Sequence, residues 1–238
     1  MKVYIPSYNR WGRVTTHRIF SDLDYKIVVC KSQEEEYLKY HSPDELIVIP
    51  DEKDGSVGKK RNAILDIMAN EDGYGIIADD DLLGIRKTEE GRDLTSDEII
   101  NTFANLFEMA FDLGVHYVGL SNTDDVMKYR GDFQPLSLTK MFYGIVGVIE
   151  NGIRYDTSLI RGEDVDFYYK QIYYNRLVLR DNRYRAYFDE CNKKTGVGKS
   201  DKDCSQHYKA LQKRYGKKLV RLYDNGVIKG VSSPIKGV

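Results

Sequence analysis

Apolar residues in the first third of the chain come in short blocks, each followed by a polar segment. Lys2–Pro6, Tyr25–Cys30, Leu46–Pro50 and Tyr74–Ala78 are runs of the length and β-branched content expected of buried strands. Between them the spacing turns helical. Helices are predicted over Arg13–Ser21, Gln33–His41 and Gly58–Asn70, the last with Ala63, Ile64, Ile67 and Met68 on one side. Strands alternating with helices at this interval predict an α/β fold with a mostly parallel central sheet. Ligands of such sheets lie beyond the carboxyl ends of the strands. The segments after the first and fourth strands, Ser7-Tyr8-Asn9-Arg10 and Asp79-Asp80-Asp81, are therefore expected to share one site.

The second half is patterned differently. Ser96–Leu113 reads as a long helix with Ser96 as its cap and Glu98 in its first turn. His116–Leu120 and Tyr143–Ile149 read as strands, the latter with Gly144 and Gly147 where another group can approach closely. Arg161-Gly162-Glu163-Asp164-Val165-Asp166-Phe167 opens a helix running to about Asn175. Leu177–Leu179 and Tyr184–Phe188 are strand-like and flank a turn at Asp181-Asn182, and Gln206–Tyr223 is an amphipathic helix. No linker composition or repeat breaks the chain, so a single domain is expected.

Three adjacent aspartates after the buried run Ile76-Ile77-Ala78 are the main chemical signal. Carboxylates packed this closely repel and take up protons unless a cation offsets them. A hard divalent ion, Mg²⁺ or Mn²⁺, prefers such oxygen ligands. The bland alternative is a solvated acidic loop.

Composition narrows the class. Of 238 residues, 41% are apolar and 31% charged, as in a soluble globular protein. No apolar stretch approaches the ~20 residues needed to cross a bilayer. Cys30, Cys191 and Cys204 make an odd set that reads as reduced thiols of a cytoplasmic protein. Charge is uneven: residues 191–238 hold 12 Lys/Arg and 3 Asp/Glu, whereas residues 1–190 hold 24 and 34. That split suggests an acidic, metal-binding body and a basic segment able to meet a polyanion. A solvated Lys-rich helix face explains the tail equally well.

Ile5-Pro6-Ser7-Tyr8-Asn9-Arg10, Lys60-Arg61-Asn62-Ala63, Asp79-Asp80-Asp81 and Glu163-Asp164 stand in the order and spacing of four motifs of family-2-type glycosyltransferases with the GT-A fold. The Ile-Pro-Ser-Tyr-Asn-Arg start, the Gly-Glu-Asp-Val-Asp-Phe string and the compact length resemble most the phage enzymes associated with thymine or cytosine oxidation and the base J glucosyltransferase. The resemblance implies a Rossmann-like GT-A sheet flanked by helices. Residues 1–95 would hold a nucleotide sugar and metal, 96–190 the acceptor and catalytic base, and 191–238 a basic C-terminal segment. It implies donor contacts from Pro6, Ser7, Tyr8, Arg10, Arg61, Asp79 and Asp80. Metal ligands would be Asp79 and Asp81, with His207 as the available C-terminal histidine. Asp164 would be the base, with Glu163 as orienting neighbour or substitute. The implied donor is UDP-glucose. The implied acceptor is a hydroxymethyl pyrimidine in DNA, in a host cytoplasm.

The chemistry asks for the same parts. Breaking a glycosidic bond to a diphosphate builds negative charge that a divalent ion offsets. Arg61 can pair bidentately with a phosphate, Tyr8 can stack on a base, and the acceptor hydroxyl needs a positioned base. Taken alone, Glu163-Asp164 could equally be first-turn acids complementing a helix dipole. After the second strand, Lys31-Ser32 replace the acid the family commonly uses to read uracil, so the nucleotide stays open. Gly196-Val197-Gly198-Lys199-Ser200 lacks the first glycine of a phosphate-binding P-loop, since Lys193 stands there. Cys191, Cys204 and His207 lack a fourth zinc ligand. A glycan or protein acceptor, a sugar nucleotidyltransferase and a non-catalytic nucleotide-sugar-binding module remain as alternatives.

Overall fold

A computed structural model describes residues 1–121, 134–189 and 201–235, the first four of the last range by backbone alone. Among these residues one ten-stranded sheet forms the centre. Strands β1 (Lys2–Pro6), β2 (Tyr25–Cys30), β3 (Leu46–Ile49) and β4 (Tyr74–Ala78) make a parallel half in the order β3-β2-β1-β4. The order then continues β9 (Ile145–Ile149), β7 (Tyr117–Ser121), β10 (Leu179–Phe188), β5 (Leu82–Lys87) and β6 (Arg92–Asp93), with β8 (Leu136–Ser137) beside β10. Of these, β9, β5 and β8 run against the rest, so the sheet is mostly parallel in direction. A small antiparallel pair, β11 (Val220–Leu222) and β12 (Ile228–Val231), stands apart.

Both sheet faces are covered, which explains why the first strands are continuously apolar. Side chains alternate between two cores. Val3, Ile5, Ile27, Val29, Ile76 and Ala78 pack with Phe103, Leu106 and Phe107 of α3 (Ser96–Leu113). Tyr4, Val28 and Ile77 pack on the other face with Ile64, Leu65 and Met68 of α2 (Val57–Asn70) and Phe167 and Tyr168 of α4 (Glu163–Asn175). A one-residue slip of β1 or β4 would exchange the two sets, so register is firmly specified.

Several sequence expectations need correction. The helix expected over Arg13–Ser21 is only a 3-10 turn at Thr16–Arg18. Thr15 and Thr16 serve the aspartate loop instead. The Thr15 amide donates to the Asp80 carbonyl at 3.0 Å, and the Thr15 hydroxyl donates to the Leu82 carbonyl at 2.9 Å. Thr16 Oγ1 donates to the Asp79 carbonyl and accepts the Leu82 amide. Hydroxyls that bond backbone in this way compete with helix formation. The charged helix expected over Gln33–His41 shrinks to α1 (Glu34–Tyr37) after a 3-10 turn. Thr95, not Ser96, caps α3, with Glu98 completing a capping box. The two strand pieces flanking Asp181-Asn182 are one strand. Its pairing with β7 shifts register between Asp181 and Arg185, and Asn182 bonds the Pro135 and Gln134 backbone there. The last helix, α5 (Asp201–Tyr215), stops at Gly216, φ +93°, and the remainder of the expected helix becomes β11. No helix among the described residues is long and apolar enough to cross a membrane.

Candidate active site

A cleft opens at the carboxyl ends of β1 and β4, lined by Pro6, Ser7, Tyr8 and Arg10 after β1, and Asp79, Asp80 and Asp81 after β4. Asp54, Ser56, Val57, Lys60 and Arg61 line it from α2 and the loop before it, and Arg161 and Glu163 from the start of α4. The topology thus joins the predicted donor and metal residues with Glu163. Asp164 is not on the lining, although the charges of Arg61 and Asp79 reach it. His207 lies on α5 and does not line the cleft. Lys193, Lys194, Lys199, Cys191 and the Gly196–Ser200 segment fall outside the described residues, as does the side chain of Cys204.

The three aspartates are held differently. Asp80 is buried and locked: Ser7 Oγ donates to Oδ2 at 2.6 Å and Arg10 Nη1 donates to Oδ1. Because Ser7 gives its proton to Asp80, the 2.6 Å contact with Tyr37 has the phenol as donor, and Tyr37 in turn accepts the Arg10 amide at 3.2 Å. Burial raises the Asp80 pKa to about 6, against the opposing pull of Arg10 and Ser7. Asn9 takes φ +56°, a conformation Asn tolerates, and bonds the buried Gln33 through its amide, which aims Arg10 inward. Asp79 and Asp81 are more open, with side chains 36% and 21% exposed. Asp79 is anchored through backbone: its amide donates to the Gly144 carbonyl at 2.7 Å. Gly144, φ +81°, permits that approach, since a Cβ there would meet Phe188 at 2.2 Å.

Arg61 is the hub. Its guanidinium donates to Asp79 Oδ1 at 2.6 Å and to Glu163 Oε1 at 3.1 Å, and lies over the Tyr155 ring, 5.5 Å from its centroid. Tyr155 is itself stacked on Phe167 of α4 at 4.0 Å. Glu163 and Asp164 occupy the first turn of α4, where the helix dipole favours their charged forms. Burial outweighs that: it is the main reason the Glu163 pKa rises to about 7, with the Asp164 charge adding to it and Arg61 opposing. The Asp164 pKa is raised too, first by burial. Replacing Arg61 with Met leaves Asp79 and Glu163 facing each other without a counter-ion. The expected cost is about 3–5 kcal/mol in urea unfolding, against a much smaller loss for Arg61→Lys.

Asp79 and Asp81 are the residues here that would hold a divalent ion. The open donors, Asp79 and Asp81, are hard oxygens. The Asp81 pKa is raised by burial and then by the Asp79 charge, against Arg10, whose Nη1 donates to Asp81 Oδ2 at 3.1 Å. Among the described residues no cluster of three or more His, Cys, Asp or Glu could hold a metal, so Asp79 and Asp81 would have to share the ion with groups other than these. Mg²⁺ and Mn²⁺ accept that arrangement when phosphate and water complete the sphere.

Helix α5 braces the N-terminal end of α4. Asp166, fully buried one turn into α4, receives Arg214 and the Tyr215 hydroxyl, the latter at 2.6 Å, and Arg214 also reaches Asp156 at 2.8 Å. Gly162 precedes α4 at φ +77°, where a Cβ would meet Leu211 of α5 at 2.5 Å. Arg214, one of the 12 basic residues of 191–238, is therefore engaged within the protein, whereas Lys217 and Lys218 are exposed.

The model of the TET-Associated Glycosyltransferase family matches residues 1–195. The chain belongs to that family. It is a glycosyltransferase, and residues beyond 195, including α5 and the β11–β12 pair, lie outside the matched region. No curated protein matches the sequence. Among solved structures, residues 1–349 of Staphylococcus aureus TarS align with a TM-score of 0.50 at 13% identity, covering 91% of this chain and 72% of that one. A Desulfovibrio desulfuricans G20 protein described as a nucleotide-diphospho-sugar transferase aligns with a TM-score of 0.44 at 12% identity, over 90% and 97%. At such identities the TarS likeness speaks to fold alone, and it agrees with the α/β fold expected from the strand pattern.

Proposed function

We propose that this glycosyltransferase is metal-dependent and inverting, and that it moves glucose from a nucleotide sugar, UDP-glucose, to a hydroxymethyl pyrimidine in phage DNA. The observation carrying the reading is the convergence in one cleft of Asp79, Asp81 and Arg61, with Glu163 on Arg61 and Asp164 beside it. Asp79 and Asp81 would hold Mg²⁺ or Mn²⁺, which supplies charge to stabilise the departing diphosphate. Arg61 stabilises the same charge, and Tyr8, 43% exposed at the rim, stacks on the base. Asp80, tied to Ser7 and Arg10, fixes the loop that presents its neighbours. Asp164 takes the acceptor proton. One of its oxygens accepts the Val165 amide at 2.8 Å; the other has no protein hydrogen-bond partner among the described residues. Glu163, fixed by Arg61, orients it. The front, residues 1–95, binds the donor, and 96–190 presents the base to the acceptor.

The decisive assay offers labelled nucleotide sugars with hydroxymethylated and unmodified duplexes and reads the mass of the digested nucleosides. Transfer to the modified duplex alone is expected. Transfer to neither duplex with any common nucleotide sugar removes the DNA acceptor and turns attention to glycans or proteins. DNA affinity should fall with salt at a log–log slope of roughly −0.9 per phosphate neutralised. Neutralising Lys193, Lys194 and Lys199 together should flatten that slope. An unchanged slope would place the phosphate contacts elsewhere.

A further inference from the structure

Asp54 and Lys60 form a buried pair on the cleft wall that the mechanism above does not use. Asp54 is 7% exposed and Lys60 3%, yet both line the cleft. Asp54 Oδ1 accepts the Gly55 amide at 2.8 Å. Its Oδ2 has the Lys60 ammonium 3.0 Å away as an ion pair but accepts no hydrogen bond. Lys60 donates to the Ser7 carbonyl and lies 5.4 Å from the centroid of the Tyr8 ring. An ammonium has three protons. One is directed to Ser7 and the Asp54 side takes at most one more, so Lys60 keeps a donor.

A lone carboxylate oxygen and an ammonium donor therefore sit side by side near the exposed face of an aromatic ring. Resting on the reading of this cleft as a nucleotide-sugar site, we infer that Asp54 and Lys60 read the donor's nucleobase, and that they select a lactam edge, a ring N–H beside a carbonyl. Asp54 Oδ2 accepts the ring N–H. Lys60 donates to the carbonyl. Uracil and guanine present that edge. Cytosine and adenine carry an amine where the lactam has its carbonyl and a bare ring nitrogen where it has its N–H, so with the base held in one position by ribose and diphosphate Asp54 would face a lone pair and Lys60 an amine. The end of β2 is occupied otherwise: Lys31 pairs with Glu34, and the Ser32 amide donates to Asp51 at 3.0 Å.

The test is titration calorimetry of the full chain with Mg²⁺ and UDP, GDP, CDP or ADP in turn. UDP or GDP should bind at least tenfold more tightly than CDP and ADP, and the two arms tell uracil from guanine. Methylating the ring nitrogen of the preferred nucleotide, N3 of uridine or N1 of guanosine, removes the N–H without touching the protein. It should cost about 10–100-fold, the range for a hydrogen bond to a charged group. Asp54→Asn should narrow the lactam preference, and Lys60→Met should do the same. Equal binding of all four nucleotides, or tolerance of the N-methyl group, overturns the inference while leaving the glycosyltransferase reading in place. An Asp54→Asn variant that loses affinity for all four alike assigns the pair to holding Ser7 and also overturns it. Failure of every nucleotide to bind overturns both readings.

Discussion

Asp81→Ala is expected to abolish both donor hydrolysis and sugar transfer. The expectation follows from how the three aspartates are held. Asp80 is enclosed by Ser7 and Arg10, so it cannot turn to a metal without breaking both contacts. Asp79 and Asp81 are the accessible carboxylates, and Asp79 already gives one oxygen to Arg61. Removing Asp81 leaves one carboxylate for the ion and no way to gather the phosphates around it. The same change should leave the fold intact. The raised Asp81 pKa means that its charged form is held less comfortably in the folded cleft than in water, chiefly through burial and the Asp79 charge. Alanine relieves that repulsion, and thermal unfolding without metal should therefore be unchanged or slightly higher. In the wild type Mg²⁺ or Mn²⁺ should raise the unfolding temperature; in the variant it should not. Full turnover by Asp81→Ala after treatment with a chelator would sink the metal-dependent mechanism.

The parallel half of the sheet was legible because its strands are buried on both faces, and an unbroken apolar run admits few other readings. The loops that such strands present were legible for the same reason, and they carry most of the cleft. What misled was local chemistry with a distant partner. Thr15 and Thr16 look like the middle of a short helix until Asp79 and Asp80 offer their carbonyls, sixty-odd residues away. Strand β5 begins at Leu82, directly after the aspartates, and its Gly84 and charged end hide the pattern; Gly84 lies against the Tyr187 ring of β10, which no local signal announces. The amphipathic pattern over Gln206–Tyr223 reads as one helix, whereas Gly216 stops α5. The Asp54–Lys60 pair was also missed, though a signal existed. Lys60 precedes Ala63 and Ile64 by three and four residues, so it stands on the buried face of α2. A lysine on an apolar face calls for a buried partner.

The proposed base and its neighbour, Asp164 and Glu163, give the sharpest separation of binding from chemistry. Asp164→Asn preserves shape, and the new side-chain oxygen can still accept the Val165 amide. What it removes is a carboxylate in the first turn of α4, one oxygen of which accepts no hydrogen bond from the described residues. The transfer rate should fall by roughly 10²–10⁴-fold, the usual worth of a positioned base. Donor affinity should stay near wild type, because Asp164 is not on the lining of the cleft. Glu163→Gln acts differently. Its oxygen is bound to Arg61, and Arg61 also holds Asp79, so weakening that contact disturbs the donor side as well. It should therefore weaken donor binding, and an intact Asp164 should keep the rate above that of Asp164→Asn. If instead Asp164→Asn loses the donor while Glu163→Gln binds it normally and stops turning over, the roles are exchanged: Glu163, with its pKa near 7, is the base and Asp164 its support. Full activity in both variants would place the proton acceptor outside α4 altogether.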